Sequence, residues 1–278
     1  MDNNTKIYND QIKDLTRKLA EAEAFKGHFL SNIRNAITNP FTSIVGLSEE
    51  IIRSDKEAWK KVIMMASLIH GEAINLDFQL NNIFCAAEIE SGELMSEAVR
   101  TDVRAIFDRT VQKYQLFTNR KALKVNFNYK ISGEDKENKY FVTDPKFMDL
   151  IFIILFDNAI KFTGPNGQID IHVIQENNQL KLEISDTGNG IDRKGLPIIF
   201  DRFKRLDSNI NSVESGHGLG LAIIKYLVEL FDGNVEVTGL YPHGTKFTVL
   251  IPEMIETDNA EGYSTQGNEF LFIDNEIF

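Results

Sequence analysis

The sequence predicts a two-part α+β protein, in which a helical hairpin that dimerises as a four-helix bundle is followed by an α/β sandwich. The first observation is that apolar residues recur at helical spacing within residues 1–96. The second is that short segments of residues 97–254 alternate apolar and polar side chains, with helical stretches between them. With 278 residues, 42% of them hydrophobic, the chain is long enough to bury a core in each part.

Residues 1–24 are predicted to form a coiled-coil linker helix. No glycine or proline occurs before Gly27, and apolar residues lie three and then four positions apart among charged ones. Such a narrow stripe is typical of a coiled coil and is too short to be stable alone. The residues of the stripe are Ile12, Leu15 and Leu19.

Residues 25–96 are predicted to form the hairpin. Pro40 is expected to kink its first helix, because proline has no backbone N–H. A polar connection at 53–57 leads to a second periodic stretch from Trp59 to about Ile89. A hairpin cannot cover all of its apolar surface, so we expect a homodimer in which two hairpins form the bundle. The expected interface residues are Phe29, Ile33, Ile37, Ile44, Met65, Ile69, Leu76 and Leu80.

Residues 97–254 are predicted to form a sandwich in which helices cover a sheet. Asp144 and Pro145 mark a helix start, because aspartate is an N-cap acceptor and proline fits the first turn. Residues 255–278 carry six acids and no base, which predicts an acidic tail or linker. The predicted strands lie at 125–131, 169–173, 180–184, 235–237 and 247–251, and the predicted helices at 101–119, 145–162 and 219–231.

The composition excludes several classes of function. A formal net charge of −11 disfavours nucleic-acid binding. The single cysteine, Cys85, excludes a disulfide framework, and no two of the five histidines share a metal-ligand spacing. The longest strongly apolar run, at 150–156, is too short to span a bilayer, and the N-terminus lacks the apolar core of a signal peptide. We therefore expect no membrane segment and a cytoplasmic protein, or the cytoplasmic part of a larger sensor.

Three motifs in the second part carry the chemistry. A glycine-rich turn that opens a helix presents unpaired N–H groups to phosphates. An asparagine oxygen can join a Mg²⁺ shell made of water and phosphate oxygens, and a carboxylate at a strand end can accept a hydrogen bond from an adenine amino group. Each motif alone is common, but together and in this order they predict a nucleotide site. They comprise Asn158, Lys161 and Thr163; Asp186, Gly188 and Gly190; and Gly216, Gly218, Leu219 and Gly220.

On these motifs, residues 97–253 resemble the ATP-binding domain of sensor histidine kinases, within the superfamily shared with the Hsp90-type and MutL-type ATPases. The three motifs match the N, G1 and G2 boxes of the family. In addition, 200–205 resembles its F box and 244–247 its closing G-T-x-F strand. One departure is that Ile154 stands where the family often has a second Asn or a Glu.

The resemblance implies ATP and Mg²⁺ as cofactors. It implies that Asp186 contacts adenine, that Asn158 holds Mg²⁺, and that Lys161 and Arg205 approach the phosphates. It also implies a lid at 204–217 over the nucleotide. The other implied nucleotide-binding residues are Thr163, Gly188, Gly190, Phe203, Gly216, Gly218, Leu219, Gly220 and Thr245.

The helical part also resembles the family. Residues 29–33 and 40–46 are similar to the two flanks of the H box, which lies on the dimerisation and phosphotransfer hairpin. Residues 88–94 are similar to the end of the second helix of that hairpin. Because Hsp90, MutL and mitochondrial-type kinases lack this arrangement, the resemblance implies a histidine kinase core.

The centre of the H box departs from the family pattern. Asn35 stands where the phosphoacceptor histidine is expected, and Ala36 replaces the following carboxylate. An amide nitrogen is a poor nucleophile because its lone pair is delocalised. Asn39 stands where a family Thr or Asn orients the water that hydrolyses a regulator's aspartyl phosphate, although it also simply precedes the proline. For His28 and His70, a solvated side chain is the favoured interpretation over an alternative acceptor.

Two classes of function remain open at this point. In the first, the ATP-binding domain phosphorylates a histidine, either at an unusual site in this chain or on a partner histidine kinase in a heterodimer. In the second, a pseudo-histidine kinase recruits the receiver domain of a response regulator and signals through nucleotide-dependent conformation, or acts as a phosphatase through Asn39. Residues 269–276 resemble the first strand of a receiver domain, which implies a hybrid kinase; the alternative is an apolar tail tip.

Overall fold

The structure, a computed structural model, has two compact units, Met1–Ile83 and Phe84–Phe278, and the division falls within the second long helix. A helical region is followed by a mixed α/β region, as the sequence predicts, and this confirms the fold class. Within the part of the chain that the structure describes, no helix is long and apolar enough to cross a membrane. The described residues are 3–55, 58–132, 139–192, 195–196, 198–201, 218–240 and 243–255.

Two helices make up the helical region, α1 at Asn3–Ile52 and α2 at Trp59–Ser91. The linker helix and the first hairpin helix are one continuous helix, and Pro40 lies inside it. Proline removes a single N–H donor, and the residues on both sides of Pro40 keep helical backbone. Pro40 therefore does not end the helix, and the predicted domain boundary after residue 24 corresponds to no break in it.

The end of α1 and the start of α2 are joined by an ion pair. The Lys61 ammonium lies 2.6 Å from the Glu50 carboxylate, and the Ser54 hydroxyl donates to the carbonyl of Glu50 within the last turn of α1. The hydrogen bond and charge of the neighbouring Lys61 ammonium lower the pKa of Glu50, whose side chain is about half exposed. An exposed pair of this kind contributes little to stability, so apolar contacts must hold the helices together.

An exposed apolar stripe runs along α1 within the first unit. Ile37, Phe41 and Val45 are each separated by one helical turn and are 38%, 58% and 41% exposed. By contrast, Met65 is only 2% exposed within the single chain, so the prediction that Met65 lines a dimer interface is wrong. The prediction of a dimer itself stays a prediction, and the stripe is the surface on which it now depends.

The second unit contains a five-stranded mixed sheet in the order β2-β4-β5-β7-β6. Strands β2 and β4 are parallel, and the other three neighbouring pairs are antiparallel. Every strand that the alternating pattern predicts is present. The strands are β2 at Lys124–Ile131, β4 at Gln168–Glu176, β5 at Gln179–Asp186, β6 at Asn234–Gly239 and β7 at Thr245–Pro252.

Among the described residues, four helices accompany this sheet. The predicted helix at 101–119 is two helices, α3 at Val103–Lys113 and α4 at Gln115–Arg120, which meet at Tyr114. Helix α5 spans Pro145–Phe162, as the sequence predicts, and α6 spans Gly220–Leu230. Helices α5 and α6 contact the sheet, and α3 packs on α5.

The core around α5 is aromatic and aliphatic. The rings of Phe107 and Phe152 stack with centroids 4.1 Å apart, and Phe156 stacks on Phe152 at 5.7 Å. Alternate residues of β4, β5 and β7 are buried, which accounts for the period of two in the sequence. These buried strand residues include Ile169, Ile171, Val173, Leu180, Leu182, Ile184, Phe247, Val249 and Ile251.

A second, two-stranded sheet was not predicted. It pairs β1 at Val99–Thr101 with β3 at Phe141–Thr143. The Asp144 carboxylate beside it caps α5 by accepting from the backbone N–H groups of Lys146 and Phe147, and also accepts from the N–H of Glu97 at 2.8 Å. The N–H of Met254 donates to the carbonyl of Val142 in β3. The small sheet therefore binds both ends of the α/β region.

Ala122, between α4 and β2, has a left-handed backbone with φ of 50°. This conformation costs an L-residue about 1–2 kcal/mol, whereas glycine adopts it freely. We expect Ala122→Gly to raise the free energy of unfolding by roughly 0.5–1 kcal/mol, after the greater entropy of glycine in the unfolded chain is subtracted. The matched control is Ala105→Gly on the exposed face of α3, which should lower stability by about 1 kcal/mol. Thermal or urea unfolding measures the stability of both variants. If both substitutions change the free energy of unfolding in the same direction, the assignment of strain to Ala122 is wrong.

Candidate nucleotide-binding site

The candidate site lies where β5, α5 and β7 come together. Asp186 is the last residue of β5, pairs in register with Thr245 of β7, and is 6% exposed. Its Oδ1 accepts from the N–H of Gly188 at 2.8 Å. Burial raises the pKa of Asp186, and hydrogen bonds from the backbone N–H groups of Gly188 and Thr245 oppose that shift. The carboxylate is thus held rigidly at the strand end.

Three glycines let backbone segments approach one another around Asp186. Gly244 has φ of 122°, and a Cβ there would clash with the carbonyl oxygen of Asp186. A Cβ on Gly188 would clash with the carbonyl oxygen of Phe162, the last residue of α5. Gly190, with φ of 75°, lies against Gly244, and a Cβ there would be 3.1 Å from the Gly244 carbonyl oxygen. The G1 segment therefore lies directly between the end of α5 and the start of β7.

Asn158 and Lys161 lie on one face of the last turns of α5, three residues apart. Both side chains are half-buried. The Lys161 ammonium forms an ion pair with the carboxylate of Asp157. Burial raises the pKa of Asp157, and the adjacent Lys161 ammonium opposes that shift. The ion pair orders the lysine before any ligand is bound.

Thr163 differs from its sequence-based interpretation as a nucleotide-binding residue. It is 1% exposed, and its hydroxyl donates to the carbonyl of Ala159 at 2.6 Å within α5. A Cβ on Gly167 would clash with the Thr163 methyl group. The Thr163 side chain therefore stabilises the end of α5 and its packing against the next turn.

The start of α6 is packed against α5. Gly218 has φ of 67°, and Leu219, the next residue, is 4% exposed. A Cβ on Gly220, the first residue of α6, would lie 2.8 Å from Cγ2 of Ile154. Since Ile154 is one turn before Asn158 in α5, the N-terminus of α6 and its N–H groups lie close to the N box.

Other predicted residues lie outside the described residues. These are Phe203, Arg205 and Gly216, together with the predicted lid at 204–217 and the receiver-like segment at 269–276. Among the residues that the structure describes, no group of three or more His, Cys, Asp or Glu side chains is arranged to hold a metal ion.

The H-box residues lie on α1. Asn35 and Asn39 are exposed and, four residues apart, are on the same face of the helix, whereas Ala36 is 5% exposed. His70 is exposed on α2. His28 lies in α1, but its side chain is outside the described part of the structure.

Comparison with known families assigns the α/β region. Residues 143–255 match the family model "Histidine kinase-, DNA gyrase B-, and HSP90-like ATPase". The match contains both the end of α5 and the segment around Asp186. This chain has a histidine kinase catalytic core.

Curated relatives and a solved structure agree with that assignment. Over 250 residues, the core is 29% identical to the circadian input-output histidine kinase CikA of Synechocystis, covering 87% of this chain and 32% of the relative. It is 25% identical over 242 residues to the sensor protein SrrB of Staphylococcus aureus, covering 87% of this chain and 40% of the relative. Full-length ShkA in complex with AMPPNP has the same fold, with a TM-score of 0.54, 18% identity, and coverage of 81% of this chain and 45% of that one.

The chain spans about a third of the length of the CikA relative and two fifths of the length of the SrrB relative. The comparisons thus establish a histidine kinase core of the two-component signal-transduction type, with an ATP-binding domain. The predicted kinase family and the predicted nucleotide-binding domain are both confirmed.

Two contributors to the site were not among the predicted site residues. The sequence marks Gly244 only as part of the G-T-x-F segment, whereas its positive φ and its contact with Asp186 make it part of the framework of the site. Lys121 has no motif around it and lies 37 residues before Asn158 in the sequence. Its ammonium nevertheless donates to carbonyl groups at the end of α5.

Proposed function

We propose that this histidine kinase core binds Mg²⁺ and ATP but does not phosphorylate itself at the H-box position. The observation that supports nucleotide binding is the buried carboxylate of Asp186, which the N–H of Gly188 fixes at the end of the central strand β5. In this proposal its second oxygen accepts from the adenine amino group. Lys161 on the last turn of α5 neutralises phosphate oxygens, since its ammonium is half-buried and already ordered by Asp157.

Asn158 is the residue that we propose to hold Mg²⁺. The donor set fits an ion held mainly by phosphate oxygens and water, because Mg²⁺ accepts a single protein oxygen alongside several waters. The amide of Asn158 supplies that oxygen beside Lys161, and the ion, when bound, offsets phosphate charge. Asn158 thereby positions the phosphates with respect to the start of α6.

The presence of Asn35 in place of a histidine argues against autophosphorylation at the H box. Its amide is exposed on α1, where a phosphoacceptor histidine would need to be, and an amide nitrogen cannot act as the nucleophile. We therefore propose a pseudo-histidine kinase that binds the receiver domain of a response regulator and changes conformation with nucleotide. Asn39, exposed on the same face of α1, is the proposed residue for orienting a hydrolytic water at a regulator's aspartyl phosphate.

A second candidate function is favoured by the N, G1 and G2 motifs, which match the family pattern except at Ile154. In this alternative the core forms a heterodimer with another histidine kinase and phosphorylates the histidine of its partner. The exposed stripe of Ile37, Phe41 and Val45 supplies an apolar surface for either a homodimer or a heterodimer.

Isothermal titration calorimetry tests the nucleotide site through Asp186→Asn. The asparagine can still accept from Gly188, but its NH₂ group would face the adenine amino group, so two donors would oppose each other. We expect roughly a 100-fold loss of affinity for ATP and ADP, as for the loss of a hydrogen bond to a charged group plus an unpaired donor. Asp192→Ala, which removes an exposed carboxylate six residues later, is the matched control and should bind like the wild type. Wild-type protein that binds neither nucleotide would refute the proposed function.

Incubation with γ-labelled ATP and Mg²⁺ separates the two candidate functions. ATP binding without acid-labile label on the purified protein supports the pseudo-kinase. If label appears only on a co-incubated histidine kinase whose own ATP site is inactivated, the heterodimer function is supported instead. Acid-labile label on this chain alone would overturn the pseudo-kinase proposal.

A further inference from the structure

Lys121 connects a distant part of the sequence to the end of α5. It follows α4, and its ammonium donates to three carbonyl oxygens, at 2.9 Å for Ile160, 2.7 Å for Lys161 and 3.2 Å for Thr163. The carbonyls in the last turn of a helix have no partner within the helix. A lysine at this position satisfies them and interacts favourably with the negative end of the helix dipole.

The main chain fixes Lys121 in the same place. The N–H of Asn166 donates to the carbonyl of Lys121 at 2.8 Å, and the N–H of Lys124 donates to the carbonyl of Gly167 at 2.9 Å. The segment before β2 and the segment after α5 are thus bonded to each other by backbone as well as by side chain. Because these backbone hydrogen bonds fix the main chain of Lys121 beside α5, the ammonium reaches the end of α5 with little further loss of side-chain entropy.

The carbonyl groups that Lys121 binds belong to the turn that carries the phosphate-facing lysine. Lys161 is itself one of the three residues, and its side chain pairs with Asp157. Burial raises the pKa of Asp157, whereas the charges of Lys161 and, more weakly, Lys121 lower it. Two cations therefore interact with the carboxylate of Asp157, and of these two Lys161 forms the direct ion pair.

We propose that Lys121 is a positioning residue for the phosphate end of the nucleotide. This role rests on the proposed function. Lys121 holds the last turn of α5 so that Lys161 and Asn158 contact the phosphates and their metal ion. The adenine end depends mainly on β5 and β7, since the β5–β7 pairing and the N–H of Gly188 hold Asp186, and its contact with α5 is limited to the approach of Gly188 to the carbonyl oxygen of Phe162. Loss of Lys121 should therefore weaken phosphate binding more than adenine recognition.

Lys121→Met tests this inference, because methionine keeps much of the apolar stem and removes the charge and all three donors. We expect the affinity for Mg·ATP to fall about 10-fold, while the affinity for adenosine changes less than 2-fold. Lys121→Arg, which keeps a cation with several donors, should restore at least part of the Mg·ATP affinity. The control is Lys124→Met, which removes a nearby exposed lysine and should have no effect on either ligand.

Calorimetry of the full chain with Mg·ATP and with adenosine gives the result. An equal loss for both ligands in Lys121→Met would mean a merely structural role and would overturn the inference, as would an unchanged affinity for Mg·ATP. If Lys121→Met does not fold, Lys121→Gln, which keeps one amide donor, should show the same selective loss to a smaller extent. Wild-type protein that binds neither ligand refutes the proposed function and the inference with it, whereas normal wild-type binding with an unaltered variant refutes the inference alone.

Discussion

Gly244→Ala should abolish nucleotide binding and destabilise the α/β unit by about 4 kcal/mol. Its φ of 122° is a conformation that L-residues rarely adopt, and the added Cβ would clash with the carbonyl oxygen of Asp186. Relief of the clash requires the start of β7 and the end of β5 to move apart, which displaces the carboxylate of Asp186. Urea unfolding followed by circular dichroism measures the stability, and calorimetry with ATP measures binding.

Gly164→Ala is the matched control for this prediction. Gly164 follows α5 closely in the same region of the fold, but a Cβ there would meet no atom within 4 Å. The control should therefore bind ATP normally and unfold within about 0.5 kcal/mol of the wild type. A Gly244→Ala protein with wild-type stability and affinity would show that the close approach of β7 to Asp186 is unnecessary.

Asn35→His should convert an unlabelled protein into one that carries an acid-labile phosphoryl group. Asn35 is exposed on α1, so an imidazole fits there without repacking, and a neutral imidazole nitrogen is a competent nucleophile. Incubation with γ-labelled ATP and Mg²⁺, followed by alkaline and acid treatment of the protein, detects the phosphohistidine. The expected label is slow to form, because Ala36 supplies no carboxylate to orient the imidazole and accept its proton.

Ala36 explains why the second half of the H box is harder to restore. It is 5% exposed, so Ala36→Glu would bury a carboxylate, and the expected result is a loss of stability rather than faster labelling. Asn35→Gln is the control, since it adds length without a nucleophile and should remain unlabelled. If Asn35→His binds Mg·ATP and still takes no label, the core does not deliver ATP to this face of α1, and the pseudo-kinase proposal is strengthened.

The strands and helix α5 were predictable because each carries a local sequence pattern that reflects which of its residues are buried or cap its end. Residues of β4, β5 and β7 alternate between a buried and a more exposed face, and α5 begins at an Asp-Pro cap whose carboxylate accepts two N–H groups. Strands β1 and β3 have three residues each, which is too short for any period to be visible. Tyr114 has no glycine or proline near it, so the break between α3 and α4 left no mark in the sequence.

The candidate site was predictable where backbone geometry demands glycine or where a carboxylate ends a strand. Asp186, Gly188 and Gly190 lie together with the end of α5, as their spacing suggested. The direction of a side chain was less predictable: Thr163 points its hydroxyl at its own helix, and Lys121 reaches α5 through a contact distant in sequence. Contacts of that kind depend on how elements pack, which no local pattern records.

The Asp144 cap gives the α/β unit a mechanical property. One carboxylate accepts from the N–H of Glu97, which lies between α2 and β1, and from the first N–H groups of α5. The 18 residues of α5 form a rod about 27 Å long, and its far end carries Asn158 and Lys161. A rotation of the chain at residue 97 therefore acts on one end of a stiff helix. It displaces the other end of that helix, where the side chains proposed to bind phosphate lie.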